Sequence, residues 1–151
     1  QISMPRPKAA AARLGLKFEA LVFKELGKNF GRRFVPSVPI SFQEAHRGPH
    51  SYSRPSTAIP DGLLLSGDAR SLCIIEIKLR HSQDAWAQLN RFYLPLLRKI
   101  VGDSLVLRTL EICKYYDPGV QLPNGKELLL KPEEVFRTDG KKHPVLIWEK
   151  L

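Results

Sequence analysis

Residues 59 to 81 hold the groups with chemistry in them. Pro60-Asp61 opens one apolar run, and Glu76-Ile77-Lys78 closes the next. Two carboxylates held side by side repel each other unless a cation lies between them. Mg²⁺ suits that role, because it prefers carboxylate oxygens and keeps several waters. A cation there would acidify a water and polarise a phosphoryl oxygen, and a lysine beside it would stabilise the hydroxide or the developing charge. The chemistry on offer is hydrolysis of a phosphate ester. The plainer alternative is a strand with a charged, solvated end.

What must position these groups is a hairpin. Two apolar runs, residues 58–65 and 72–79, flank the turn-forming sequence Ser-Gly-Asp-Ala-Arg. A turn centred there sets Asp61 opposite Glu76 on one face, with about 5 Å between Cβ atoms. Lys78 lies two residues beyond Glu76 and therefore shares that face.

The surrounding elements follow from periodicity. Leu14, Phe18, Val22, Leu26 and Phe30 recur every four residues and predict a helix over 12–30, ended by Gly27 and Gly31. Residues 4–12 read as a loose basic arm. Residues 32–44, interrupted by Pro36 and Pro39, read as an edge strand at best, and 45–57 as a loop. Ser82 is positioned to cap a second helix reaching about residue 101, with Trp86, Leu89, Tyr93, Leu96, Leu97 and Ile100 on its apolar side and a kink at Pro95. A strand is expected over 104–116, and two short strands near 126–130 and 144–150. The expectation is one α/β domain, 4–151, with its elements in the order αβββαβ.

Composition narrows the partners. The apolar fraction of 43% is that of a folded chain. No apolar run reaches the length of a membrane span, no signal peptide opens the chain, and Gln1-Ile2-Ser3 ahead of Met4 reads as a cloning remnant. Cys73 and Cys113 stand in apolar runs and read as buried thiols of a cytoplasmic protein. The net charge of +9 is either a solubility device or the footprint of a polyanion. The basic residues are dispersed rather than gathered on one amphipathic segment. That favours a phosphate backbone over a membrane surface.

Pro60-Asp61 followed by Glu76-Ile77-Lys78 resembles the signature of the PD-(D/E)XK nuclease superfamily, which includes restriction endonucleases, junction resolvases and phage-lambda-type exonucleases. The resemblance covers roughly residues 13–115. It implies a restriction-endonuclease-like core, with a mixed sheet between helices. It also implies that Asp61 and Glu76 bind Mg²⁺ or Mn²⁺ together with the backbone carbonyl of Ile77, and that Lys78 assists the attacking water. A bacterial or phage origin is implied in the same way. Asp139-Gly140-Lys141 repeats the acidic-x-Lys pattern, but in a glycine-marked turn with no apolar strand before it.

Accessory positions can be named. Gly15, Phe18 and Glu19 are similar to a first-helix motif in nucleases of this kind, in which the glutamate completes the metal site; Glu25 lies near the same apolar stripe, and helical phase does not separate the two. Either is otherwise an ordinary helix carboxylate paired with a lysine. Gln88 matches a glutamine that some relatives place on the second helix; the tyrosine expected four residues on is Phe92, with Tyr93 following. His46 and His50 precede Asp61 as further metal-ligand candidates. Arg47, Arg54, Arg80, His81 and Arg91 are the candidate nucleic-acid contacts. Trp86 is either a base-stacking platform or core.

The reading is a metal-dependent deoxyribonuclease, structure-selective or nonspecific, with DNA as partner, RNA not excluded, and a homodimer allowed. The alternatives are a noncatalytic nucleic-acid-binding module on the same fold and a basic protein that coats nucleic acid.

Overall fold

The computed structural model describes residues 7–46, 52–119, 122 and 126–151. Helix α1 spans Pro7–Phe30. It starts earlier than the periodicity predicts. Pro7 is tolerated in a first turn, and Ala9 to Ala12 propagate a helix well, so from Pro7 onward the expected loose arm is helical. Strands β1 (Phe34–Pro36), β2 (Ile40–His46), β3 (Tyr52–Ala58), β4 (Gly62–Leu65) and β5 (Ser71–Arg80) follow. Helix α2 (Gln83–Ala87), a π-helical turn (Gln88–Tyr93) and helix α3 (Leu94–Val101) then run end to end, before β6 (Val106–Tyr115), β7 (Lys126–Leu130) and β8 (Lys142–Ile147).

The result is an α/β domain with a mixed six-stranded sheet, in the order β1-β4-β5-β6-β8-β7. β1, β4 and β5 are antiparallel neighbours, while the pairs β5·β6, β6·β8 and β7·β8 are parallel. The strand β5 lies inside this sheet and alternates between two cores. Cys73, Ile75 and Ile77 pack with Phe18, Val22 and Leu26 of α1. Ile74 packs with Leu89, Tyr93 and Leu97 on the other side. Burying one such side chain contributes about 1.5–3 kcal/mol, so register along β5 is strongly specified.

Two expectations are corrected here. Of the stretch 45–57 expected as a loop, residues 45–46 and 52–57 are strand: β2 and β3 pair from Ile40↔Ala58 to His46↔Tyr52. Pro55 argued against a strand, but a two-stranded sheet has free edges on both sides, where proline is tolerated. The pair is rooted in the second core by Ile40 and Ala58. The break in the second helix is a π turn rather than a plain proline kink. Pro95 brings no N–H and its ring crowds the preceding turn; the wider π turn ahead of it accommodates both. That turn also shifts the helical phase. Leu89, Tyr93 and Leu97 are buried, whereas Ile100 is 56% exposed. Ser82 occupies the N-cap position without a side-chain capping bond.

Candidate active site

The β4–β5 turn is tied locally. The Ser66 N–H donates to the Ser71 carbonyl at 2.9 Å, and Asp68 accepts from the Ser66 hydroxyl and the Arg70 N–H. This fixes the register as Gly62↔Ile75 and Leu63↔Ile74. One step further along that register brings Asp61 beside Glu76. The Ile77 N–H donates to Asp61 Oδ2 at 2.7 Å. The two carboxyl groups are close enough to act on each other's charge. Lys78 Nζ stands 3.7 Å from Glu76 Oε2. Asp61, Glu76 and Lys78 therefore meet on one face, and the Ile77 carbonyl lies between Glu76 and Lys78 in the chain.

Neighbouring backbone holds Asp61 in place. Its carbonyl accepts the Ser37 N–H at 2.9 Å, from the bend between β1 and β2. The next residue must be small, since a Cβ on Gly62 would come within 2.6 Å of the Phe34 ring.

The electrostatics are those of a site short of positive charge. Glu76 is 3% exposed, in the middle of the buried stretch Ile74–Ile77 of β5. Burial first, and then the Asp61 charge, push its carboxyl up to about 7, against the pull of Lys78. Burial likewise raises Asp61, partly offset by the Ile77 N–H and by Lys78. Glu19 is raised by burial and by the Asp61 charge, and its own charge raises Glu76 in turn. Glu19 of α1 thus shares the electrostatic field of the pair.

The π turn contributes from the other side. Tyr93 donates its hydroxyl to the Ile59 carbonyl at 3.1 Å and is pushed up to about 12, by burial and then by Glu76 and Asp61. Tyr93 is thus a neighbour of the carboxylates, which the sequence reading treated as core. The displacement of the expected tyrosine by one position, with the π turn absorbing the extra residue, is the signal that could have found it. Gln88 opens the same turn, with its side-chain Oε1 buried and lacking a hydrogen-bond partner.

Other candidates are placed differently. His81 does not face solvent: it is 4% exposed. Its Nδ1 lies 2.8 Å from Glu111 Oε2, and its Nε2 contacts Glu127. A histidine just past the end of β5 is drawn inward between the buried Glu111 and the partly buried Glu127, so its assignment to nucleic-acid contact is withdrawn. Arg80 and Arg91 are exposed and lie over the rings of Tyr115 and Trp86, each 5.0 Å from the ring centroid. Trp86 is half-buried. Arg47 and His50 lie outside the described residues. Arg54 and His46 are described only as backbone positions in β3 and β2. Asp139 caps the Lys141 and Lys142 N–H groups in a turn, as its glycine-marked setting implies. Cys73 and Cys113 are buried thiols, each pushed up to about 12, chiefly by burial.

The sequence reading also missed a second polar cluster. Glu111, the β6 partner of Glu76, is fully buried. It accepts from His81 and, at 2.8 Å, from His143 Nε2. Glu127 of β7 bridges His81 and the Tyr116 hydroxyl. A glutamate inside the apolar run Leu-Glu-Ile-Cys was the available signal, the same one that marked Glu76.

Asp61 and Glu76 can supply carboxylate oxygens to a divalent cation, and Ile77 a carbonyl. Among the described residues no three His, Cys, Asp or Glu side chains are grouped closely enough to hold a metal by themselves. Two carboxylates with waters still suit Mg²⁺, which rarely sits in an all-protein cage. No helix among the described residues is long and apolar enough to cross a membrane. No family model, curated protein or solved structure matches this chain.

Proposed function

We propose that this protein is a metal-dependent nuclease that hydrolyses phosphodiester bonds in DNA, on a restriction-endonuclease-like core. The observation that carries the reading is the meeting of Asp61, Glu76 and Lys78 on one face, with the Glu76 carboxyl pushed up to about 7 by burial and then by the Asp61 charge. Perturbed carboxylates of this kind cluster at functional sites. Asp61, Glu76 and the Ile77 carbonyl would hold Mg²⁺ or Mn²⁺, which when bound would make a water more acidic and neutralise a non-bridging phosphate oxygen. The chain's own groups do the rest. Lys78 is partly exposed and places its ammonium where negative charge develops on the attacking oxygen. Glu19 orients the water. Gln88 has an unpartnered side-chain oxygen to direct it.

Among the described residues no third carboxylate is close enough to complete a cage, which favours a second reading, a noncatalytic nucleic-acid-binding module on the same fold. One comparison separates the two. Plasmid, linear duplex, single-stranded and branched DNA are incubated with the protein, with and without Mg²⁺. Cleavage is expected only with the metal. Lys78→Ala is expected to lose at least about a hundredfold in rate, while binding DNA like the parent, because its contact matters mainly in the transition state. Undiminished cleavage by Lys78→Ala would remove the catalytic role; no cleavage by the parent on any substrate would leave the binding module.

A further inference from the structure

The carboxyl ends of the parallel strands β5 and β6 carry a feature the proposed chemistry does not use. Arg80 and Tyr115 are register partners at those ends. Tyr115 is 43% exposed, although most of the β6 residues before it are buried or half-buried. Two cations lie over its ring: the Arg80 guanidinium at 5.0 Å from the centroid and the Lys114 ammonium at 5.7 Å. Beside it opens a groove lined by Leu14, Phe18, Leu21, Leu79 and Leu151, with Lys17 and Lys114 among its walls. Leu14 is 56% exposed. The groove thus has an apolar floor, an aromatic wall and a basic rim, and no acidic residue among the described ones lines it.

We propose that this groove is a nucleotide subsite, which takes one unpaired base of a single-stranded nucleic acid against Tyr115 and Leu79. The flanking phosphates lie on Lys17, Arg80 and Lys114. The inference rests on the nuclease reading only in naming its substrate: a single-stranded or frayed end rather than an intact duplex.

Three arguments carry it. Charge complementarity selects an anion, since the rim is cationic and the chain carries +9. Shape and polarity select a flat apolar group attached to that anion. An exposed tyrosine held under cations offers stacking that every base can satisfy. A base entering the stack displaces one of the two cations, and the freed charge then meets the adjoining phosphate. Position is the third argument. Lys78 precedes Arg80 by two residues on the same strand, roughly 7 Å at strand spacing. That is about two steps along a nucleic-acid strand at 3.4 Å per nucleotide. A base seated on Tyr115 would hold its own strand beside Lys78. A base inside a duplex is stacked on both faces and has none to offer.

The test is binding without metal, so that it does not depend on cleavage. Fluorescence anisotropy of a labelled oligothymidylate and of a blunt duplex of equal length is measured with the parent, Tyr115→Ala and Tyr115→Phe. Tyr115→Ala is expected to weaken single-strand binding by about tenfold or more, the scale of one base–aromatic stack. Its duplex binding should be unchanged, and Tyr115→Phe should retain single-strand binding. Single-strand affinity in Tyr115→Ala equal to the parent's overturns the proposal. So does an equal loss on both ligands, which would make the residue part of a general surface. A selective single-strand loss in a protein that cleaves nothing keeps the subsite and discards the nuclease; cleavage without the selective loss does the reverse.

Discussion

Two pairs of carboxylates lie close together in this sheet, and they are treated in opposite ways. Glu76 and Glu111 are cross-strand partners on β5 and β6, both buried. Glu111 has each carboxylate oxygen occupied by a histidine nitrogen at 2.8 Å, and its neighbour Glu127 holds His81 and Tyr116. His81 faces a carboxylate from both ring nitrogens, an arrangement that favours the doubly protonated ring, in which both donate. Burial alone would lower its pKa, but the bonds to and charges of Glu111 and Glu127 raise it. Glu76 and Asp61 have no such provision. A single partly exposed lysine stands 3.7 Å from Glu76, and the Glu76 carboxyl rises to about 7. The first cluster brings its own cation; the second is left short of one. The Glu111 network ties β6, β7 and β8 to the end of β5 with both Glu111 oxygens occupied, although the buried His143 Nδ1 lacks a partner; a pair whose charges are left unmatched is where a sheet can hold something else.

The sharpest way to break this comparison is to remove the cation from the Glu111 cluster. His81→Ala leaves Glu111 and Glu127 buried without it, and is expected to cost about 3–5 kcal/mol of stability, the scale for breaking a buried pair. Urea unfolding measures it. Parent-like stability would mean that the Glu111 cluster is no more dependent on its partners than the site is.

The reverse experiment sharpens the contrast. Removing a charge from the unmatched pair should help the metal-free fold. Glu76→Gln is expected to stabilise it at pH 8 by on the order of 2 kcal/mol, and to have little effect at pH 4. The sign follows from linkage. A carboxyl with a raised folded-state pKa contributes stability that is complete below its ordinary value of 4.5 and is lost as pH rises to about 7. His81, also raised, loses its contribution in the same direction, as pH rises from its ordinary 6.5 through its folded value. The difference between parent and Glu76→Gln melting curves isolates the glutamate. Destabilisation by Glu76→Gln at pH 8 would show that the pair is already neutralised.

The smallest effect concerns the surface around both clusters. Affinity for DNA should fall linearly on logarithmic axes as salt rises, through counterion release. His81→Gln should leave the slope alone, since the residue is buried, whereas Arg80→Ala should lower it by about one counterion. A flat salt dependence in the parent would return the +9 charge to a solubility role.

Local signals were enough for the elements that carry the candidate site. The turn residues between two apolar runs set the β4–β5 register, and a register of period two decides which side chains share a face. Hence Asp61, Glu76 and Lys78 could be brought together before any fold was known. α1, β6 and the two late strands were legible for the same reason: each has its own periodicity. The π turn was not legible, because its cause is a packing compromise around Pro95 rather than a pattern. The β2–β3 pair was hidden by Pro55, which the free edges of a small sheet tolerate, and by the Gly48-Pro49 sequence ahead of β3.

What only the tertiary structure decided is which charged residues face one another across distant strands. His81, Glu111, Glu127 and His143 come from four separate stretches of sequence, and nothing local says that they meet. Parallel strands need long crossovers, so their register is set by the packing of the whole sheet and not by a turn. That packing turned His81 inward and left Tyr115 exposed beside Arg80. The sequence alone determined the antiparallel pair, because a short turn transmits register directly. The partners of the parallel strands depended on everything between them.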